Sequence, residues 1–420
     1  MRLPLRPWCA LPLVLLLLAA VRPNAPSPDW TQFRLDRGNN ARVPGTLEVS
    51  WQVRTNGGFS SSPIVHDGRV YVGNNTGDFY AIDARTGTLA WTRHFSASLM
   101  AAPILYRNTL VIGEGNQEGY TTSGRGMAVG SGENALIGVD PQTGRQRWRY
   151  ALAGTGMPTS AVIAGTLVQH DGAGIVHGLD PQSGAPRFSR DLGGIASMSA
   201  VLPAGGDRFV TVGLNKNAMW ELRASDGAVV WEHDFDTAAS GVGDCPPASD
   251  GERAFCDYLL PAPGFHGVDA GGPAEMHAYA VALADGSGVW DTAVEIGTVP
   301  MWNEAAIPLA AGDTVYLGSA IASAMHALDA ATGRVRWQTA VRGAVKGGPV
   351  LDDGVLYFGD LAGYLWALDA EDGHVIGVKN VHVPFNVGSP VIFGQTLFIG
   401  GKDGTFLAIP LAKIRSGRDR

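Results

Sequence analysis

The sequence predicts an all-β protein closed into a ring of blades, a β-propeller, and three observations lead there. The first is a pattern, clearest as ALDAATGRVRW at 327–337, that returns at 81–91, 138–148, 178–188, 221–231, 280–290 and 367–377. A period of roughly 40 to 60 residues is that of a propeller blade or a solenoid unit. The second is the content of each copy: an alternating strand, a turn built on Asp with Thr-Gly or Asp-Gly, and a second alternating strand, which together read as a β-hairpin. Gly87, Gly144, Gly184, Gly227, Gly286, Gly333 and Gly373 hold one turn position, as expected where the backbone needs a positive φ. The third is that the two ends of the chain are half-units. LEVSWQV at 47–53 is a lone strand, and 389–411 supplies strands without a final aromatic one. Pairing them closes the ring and removes exposed sheet edges.

Composition fits this class. The chain has 420 residues, 57 of them glycine, with 45% hydrophobic and only 17% charged residues. That suits many short strands and tight turns in one large propeller. A formal charge of −8 without a basic run argues against nucleic acid or anionic lipid as a partner.

Taken in order, residues 1–20 read as a secretory signal peptide, with Arg2 and Arg6 ahead of a short apolar run. Cleavage is expected, with an uncleaved anchor as the alternative, so the mature chain works outside the cytoplasm as a periplasmic or secreted protein without a membrane span. Cys9 precedes the apolar run, where a lipoprotein cysteine would follow it. Residues 21–43 form a Pro-rich linker and an arm on which Trp30 and Phe33 are the anchors. The propeller occupies 44–411, and 412–420 is a polar tail. Strand groups at 59–97, 98–154, 155–194, 195–241, 242–298, 299–343, 344–383 and 384–411 with 47–53 give eight four-stranded antiparallel blades, with seven as the alternative. Two Gly-rich stretches, 114–134 and 258–276, read as long loops over one face of the channel. Cys245 and Cys256 flank a turn at Asp250-Gly251 and read as a structural disulfide, with a reactive thiol pair as the alternative.

The pattern A-x-D-x-x-T-G-x-x-x-W resembles the tryptophan-docking motif of the quinoprotein-like (PQQ-like) β-propellers, the family of the pyrroloquinoline quinone (PQQ) alcohol dehydrogenases and of the outer-membrane assembly protein BamB. The resemblance covers roughly 44–410. It implies that Trp91, Trp148, Trp231, Trp290 and Trp337, with Phe188 substituting once and Trp51 at the closing strand, pack between neighbouring blades. In the last copy, Gly377 stands where the aromatic belongs.

Residues just ahead of each inner strand should ring the central channel. Met100, Met157, Met198 and Met301 recur there, and read first as apolar lining and second as soft ligands for Cu(I). The polar candidates are Asp244, Asn303, Glu304, Lys346 and Asn386, with Trp302 as a stacking platform. The resemblance implies two functions. One is a monomeric protein-binding scaffold of the cell envelope, BamB-like, needing no cofactor, metal or catalytic residue. The other is a PQQ-dependent alcohol or sugar dehydrogenase, with Trp302, Asn303, Glu304, Asp244 and Lys346 around PQQ and Ca²⁺. Against the enzyme stand the lack of an adjacent Cys-Cys pair, of a CxxCH motif and of a G-x-S-x-G elbow.

Overall fold

The computed structural model describes residues 29–115, 133–236, 239–300 and 305–419. The expected signal peptide and most of the 114–134 loop lie outside these residues. The described chain forms eight antiparallel sheets in sequence order, seven of four strands and one of five. The seventh blade shows the plan: Val350–Asp352 innermost, then Val355–Gly359, Tyr364–Asp369 and Val375–Asn380 outermost. Second strands such as Val355–Gly359 are buried throughout, because they pack on both faces between neighbouring blades. Outer strands alternate instead. In Val335–Ala340, Val335, Trp337 and Thr339 point inward while Arg336, Gln338 and Ala340 face solvent.

The ring closes through both half-units. Trp51–Arg54 pairs antiparallel with Thr405–Pro410, Trp51 opposite Ala408. A second N-terminal strand, Arg42–Val43, pairs parallel with Val391–Phe393 and makes the fifth strand of that sheet. Eight blades, not seven, therefore share one closed edge-free ring.

Docking follows one rule. Most indoles lie across their hairpin from a small residue, as in Ala81 opposite Trp91, Gly138 opposite Trp148 and Ala327 opposite Trp337, while Trp231 lies opposite Glu221. It then covers the turn glycine of the next blade. A Cβ added at Gly87, Gly144, Gly184, Gly286, Gly333 or Gly373 would come within 2.5–2.8 Å of the preceding blade's indole, and at Gly227 within 2.5 Å of Phe188. All seven glycines have φ between 66° and 75°, so position and space both demand glycine. The indole N–H groups of Trp51, Trp91, Trp231, Trp290 and Trp337 donate across the blade gap to carbonyls 2.9–3.2 Å away. Trp148 is the exception, its Nε1 buried without an acceptor.

The missing aromatic at 377 has a physical cause. The eighth blade draws its outer strand from the N-terminus, so the chain leaves its third strand as a helix, Leu411–Arg415, with Leu411 and Ile414 buried. That helix sits over Gly377, where a Cβ would meet the Ile414 and Arg415 carbonyl oxygens at 2.3 and 2.4 Å. The described end of the chain is thus docked and not a free polar tail, with Arg418 bridging to Val378. Gly377→Trp should destabilise the fold by about 1–3 kcal/mol through overpacking, read as a lower urea midpoint, although it restores the repeat.

The 258–276 stretch also differs from expectation. Arg253–Pro261 and Pro273–Ala282 are long paired strands, continued by Gly288–Thr298, and only 262–272 is loop. Apolar alternation here was masked by Gly and Pro, which sit in the tip.

Candidate functional site at the channel mouth

The N-terminal arm closes one end of the central channel. Leu105 N–H donates to Trp30 O at 2.8 Å and Val162 N–H to Thr31 O at 2.6 Å, while the Trp30 indole donates to Val65 O at 2.8 Å. Farther on, Ser249 N–H donates to Arg37 O, Ala310 N–H to Gly38 O and Ile392 N–H to Ala41 O, at 2.7–3.0 Å. Leu351 N–H reaches Asn40 Oδ1 at 3.0 Å. Phe33 packs on Ala102, Ala200 and Ile307. Fifteen residues (29–43) thereby touch the inner end of every blade.

At its centre is Arg34, 2% exposed. Its guanidinium donates to the carbonyl oxygens of Asn39, Pro349 and Pro390. Burial pushes its pKa down to about 9, which leaves it a cation at neutral pH.

Above Phe33 the channel mouth is a ring with one member per blade. Four residues ahead of each inner strand stand Ser60, Met100, Met157, Met198, Asp244, Ala305, Lys346 and Val387. All but Lys346 line one partly open recess, floored by Phe33. Lys346 is buried at the equivalent place, and its carbonyl accepts the Ile307 N–H at 3.1 Å. The structure thus brings together Met100, Met157, Met198 and Asp244, with Lys346 in the same tier. Ala305 is the residue at this register in the sixth blade. Met301, Trp302, Asn303 and Glu304 lie outside the described residues. Asn386 is the neighbour of ring residue Val387.

One group was missed in the sequence. Asp257, fully buried, stands behind the ring and accepts the Ala306 N–H at 3.0 and 3.3 Å. The Cys245 and Cys256 sulfurs, which form a disulfide, lie within 4.8 Å of its carboxylate. Burial pushes this carboxyl up to about 8, and the Asp244 charge adds to the effect. The Tyr279 hydroxyl is buried without a partner, and burial and the Asp257 charge raise its pKa. An acid inside the otherwise apolar run AFCDYLL was the available signal.

The described ring was tested against the quinone and Ca²⁺ that the resemblance implied. It offers one carboxylate, one ammonium, hydroxyls, thioethers and alkyl groups. One carboxylate among these described residues falls short of the six to eight oxygens that Ca²⁺ takes.

A closed eight-bladed ring with docked aromatics defines a PQQ-repeat propeller. The chain belongs to the family described as outer membrane protein assembly factor BamB, whose model matches residues 44–189, 132–257 and 274–412. It is similar to tetrathionate hydrolase of Acidithiobacillus ferrooxidans, 26% identical over 400 residues that cover 90% of this chain and 78% of that protein. Quinohemoprotein alcohol dehydrogenase of Comamonas testosteroni is 31% identical over 147 residues, 30% of this chain and 19% of that one. The crystal structure of BamB from Moraxella catarrhalis superposes with a TM-score of 0.62 at 16% identity, covering 86% of this chain and 96% of that one. Among the described residues no helix is long and apolar enough to cross a membrane.

Proposed function

We propose that the chain is an extracytoplasmic enzyme that uses water to cleave a sulfur–sulfur bond of a polythionate dianion at the channel mouth. The observation that carries this reading is the reach of the similarity to tetrathionate hydrolase, 90% of the chain. The ring has the matching chemistry. Lys346 offers a cation to one sulfonate, and the thioethers of Met100, Met157 and Met198 offer a polarizable wall to the sulfane sulfurs. Asp244 orients water as a general base. The water oxygen bonds to a sulfonate sulfur while the adjacent S–S bond breaks. Sulfate and a disulfane monosulfonate leave, and both water protons pass to solvent. Asp257, held neutral, keeps Asp244 the single negative charge of this corner.

Purified chain incubated with tetrathionate should consume it and release sulfate, followed by ion chromatography. Asp244→Asn should lower kcat by about 10²-fold or more with an unchanged thermal melt. Intact tetrathionate in a folded preparation between pH 3 and pH 8 rejects the reading.

A second reading, an envelope scaffold that binds protein, draws support from the fifth blade. Its strands outreach the others and leave Phe265 and Ile296 more than half exposed, a patch suited to a partner. Pull-down from envelope extracts should then depend on both residues and fail with Phe265→Ser and Ile296→Ser. Titration of the same preparation with PQQ and Ca²⁺ tests the dehydrogenase alternative, in which Glu304→Ala would abolish binding.

A further inference from the structure

We infer that Met100, Met157 and Met198, with Asp244 beside them, form a site for one soft monovalent cation of the Cu⁺ class. The three methionines come from the second, third and fourth blades, each four residues ahead of its inner strand. That common register places three thioethers side by side on one arc of the ring, and Asp244 of the fifth blade continues it. The four line a single recess, with room for one ion. Met100 and Met157 are buried at 3% and 2%, whereas Met198 is partly exposed and gives the ion its way in.

The donor set decides the class of ion. Thioether sulfur is a soft ligand that selects Cu⁺ over Mg²⁺, Ca²⁺ or Mn²⁺. No histidine lines the space, and the two nearby cysteine sulfurs are tied to each other, which removes the usual zinc ligands. One carboxylate balances one positive charge without the oxygen count that a hard cation requires. A thioether carries no proton to lose, so binding should persist at acidic pH, where thiolate and imidazole sites fail. The site needs no turnover and stands whether or not the chain acts on polythionates.

Calorimetric titration with Ag⁺ in chloride-free buffer probes it without a reductant that would open the disulfide, and competition with bicinchoninate for Cu⁺ gives the native ion. One ion per chain is expected, with affinity held between pH 5 and pH 7. Met100→Leu with Met157→Leu and Met198→Leu, which conserve volume, should weaken binding by about a hundredfold, and Met198→Leu alone by about tenfold. Absence of Ag⁺ uptake at tens of micromolar, or uptake unchanged in a folded Met198→Leu or triple variant, overturns the proposal.

Discussion

A chain carrying Asp257→Asn should exceed the parent in stability by about 1–2 kcal/mol at pH 5 and by more at pH 9. In the fold this carboxyl titrates at about 8, whereas an unfolded aspartate titrates near 3.9. Between those values the native state holds a proton that the unfolded state has lost, so stability falls as pH rises. The slope is about 1.4 kcal/mol per pH unit, and the full window amounts to roughly 6 kcal/mol as an upper limit. The contribution is complete below about pH 4 and gone above about pH 8. Asparagine has no proton to lose and keeps a carbonyl acceptor for the Ala306 N–H, so the penalty disappears. Urea midpoints at pH 5, 7 and 9 measure this, and a parent-to-variant difference that stays flat with pH would falsify the buried-proton account. The same titration bears on the site. Above pH 8 a second carboxylate forms behind Asp244, so polythionate turnover should fall with an apparent pKa near 8 in the parent and lose that limb in the variant.

The architecture was legible because a propeller writes its packing into short-range patterns. The turn glycines, the small residue opposite most indoles and the indole itself recur at fixed offsets, and each turn glycine meets the aromatic of the preceding blade. The ring was legible for the same reason, since position in a blade fixes position around the channel. What stayed hidden depends on contacts between distant segments. Gly377 looked like a decayed repeat, and only the helix from the chain's end explains it. Asp257 was marked locally only as an acid inside the apolar run AFCDYLL, which does not tell that it is buried beside the ring. The arm looked like a linker with two anchors, yet its carbonyls and Asn39 amide meet residues hundreds of positions away, the Asn39 Nδ2 lying 3.2–3.3 Å from the carbonyls of Pro246, Pro247 and Pro308. Proline supplies those acceptors repeatedly because it ends a ring segment without an N–H of its own.

Replacing Arg34 should cost more than losing any one docking indole, because Arg34 ties segments that no blade joins. Its guanidinium serves carbonyls on the arm, ahead of the seventh blade and ahead of the eighth. These are the acceptors with no ladder partner at the channel end. Arg34→Met would keep the apolar stem and abandon all three, each an unsatisfied buried carbonyl costing about 1–3 kcal/mol. A loss of roughly 3–9 kcal/mol follows, measured as a lower denaturant midpoint. Arg34→Lys should recover only part of it, since one ammonium on a flexible stem lacks the planar fork that spans separate acceptors. If the lysine variant is as stable as the parent, charge alone holds the plug. Deletion of residues 29–43 should then separate closure from folding. The family match begins at residue 44, so the remaining ring retains its blades, Trp51 and all seven turn glycines while the channel opens at the far end. Such a chain should fold with a lower midpoint and admit small solutes from both sides, and any substrate held above Phe33 would lose its floor. Turnover that survives the deletion with unchanged KM would place the reacting group outside the channel.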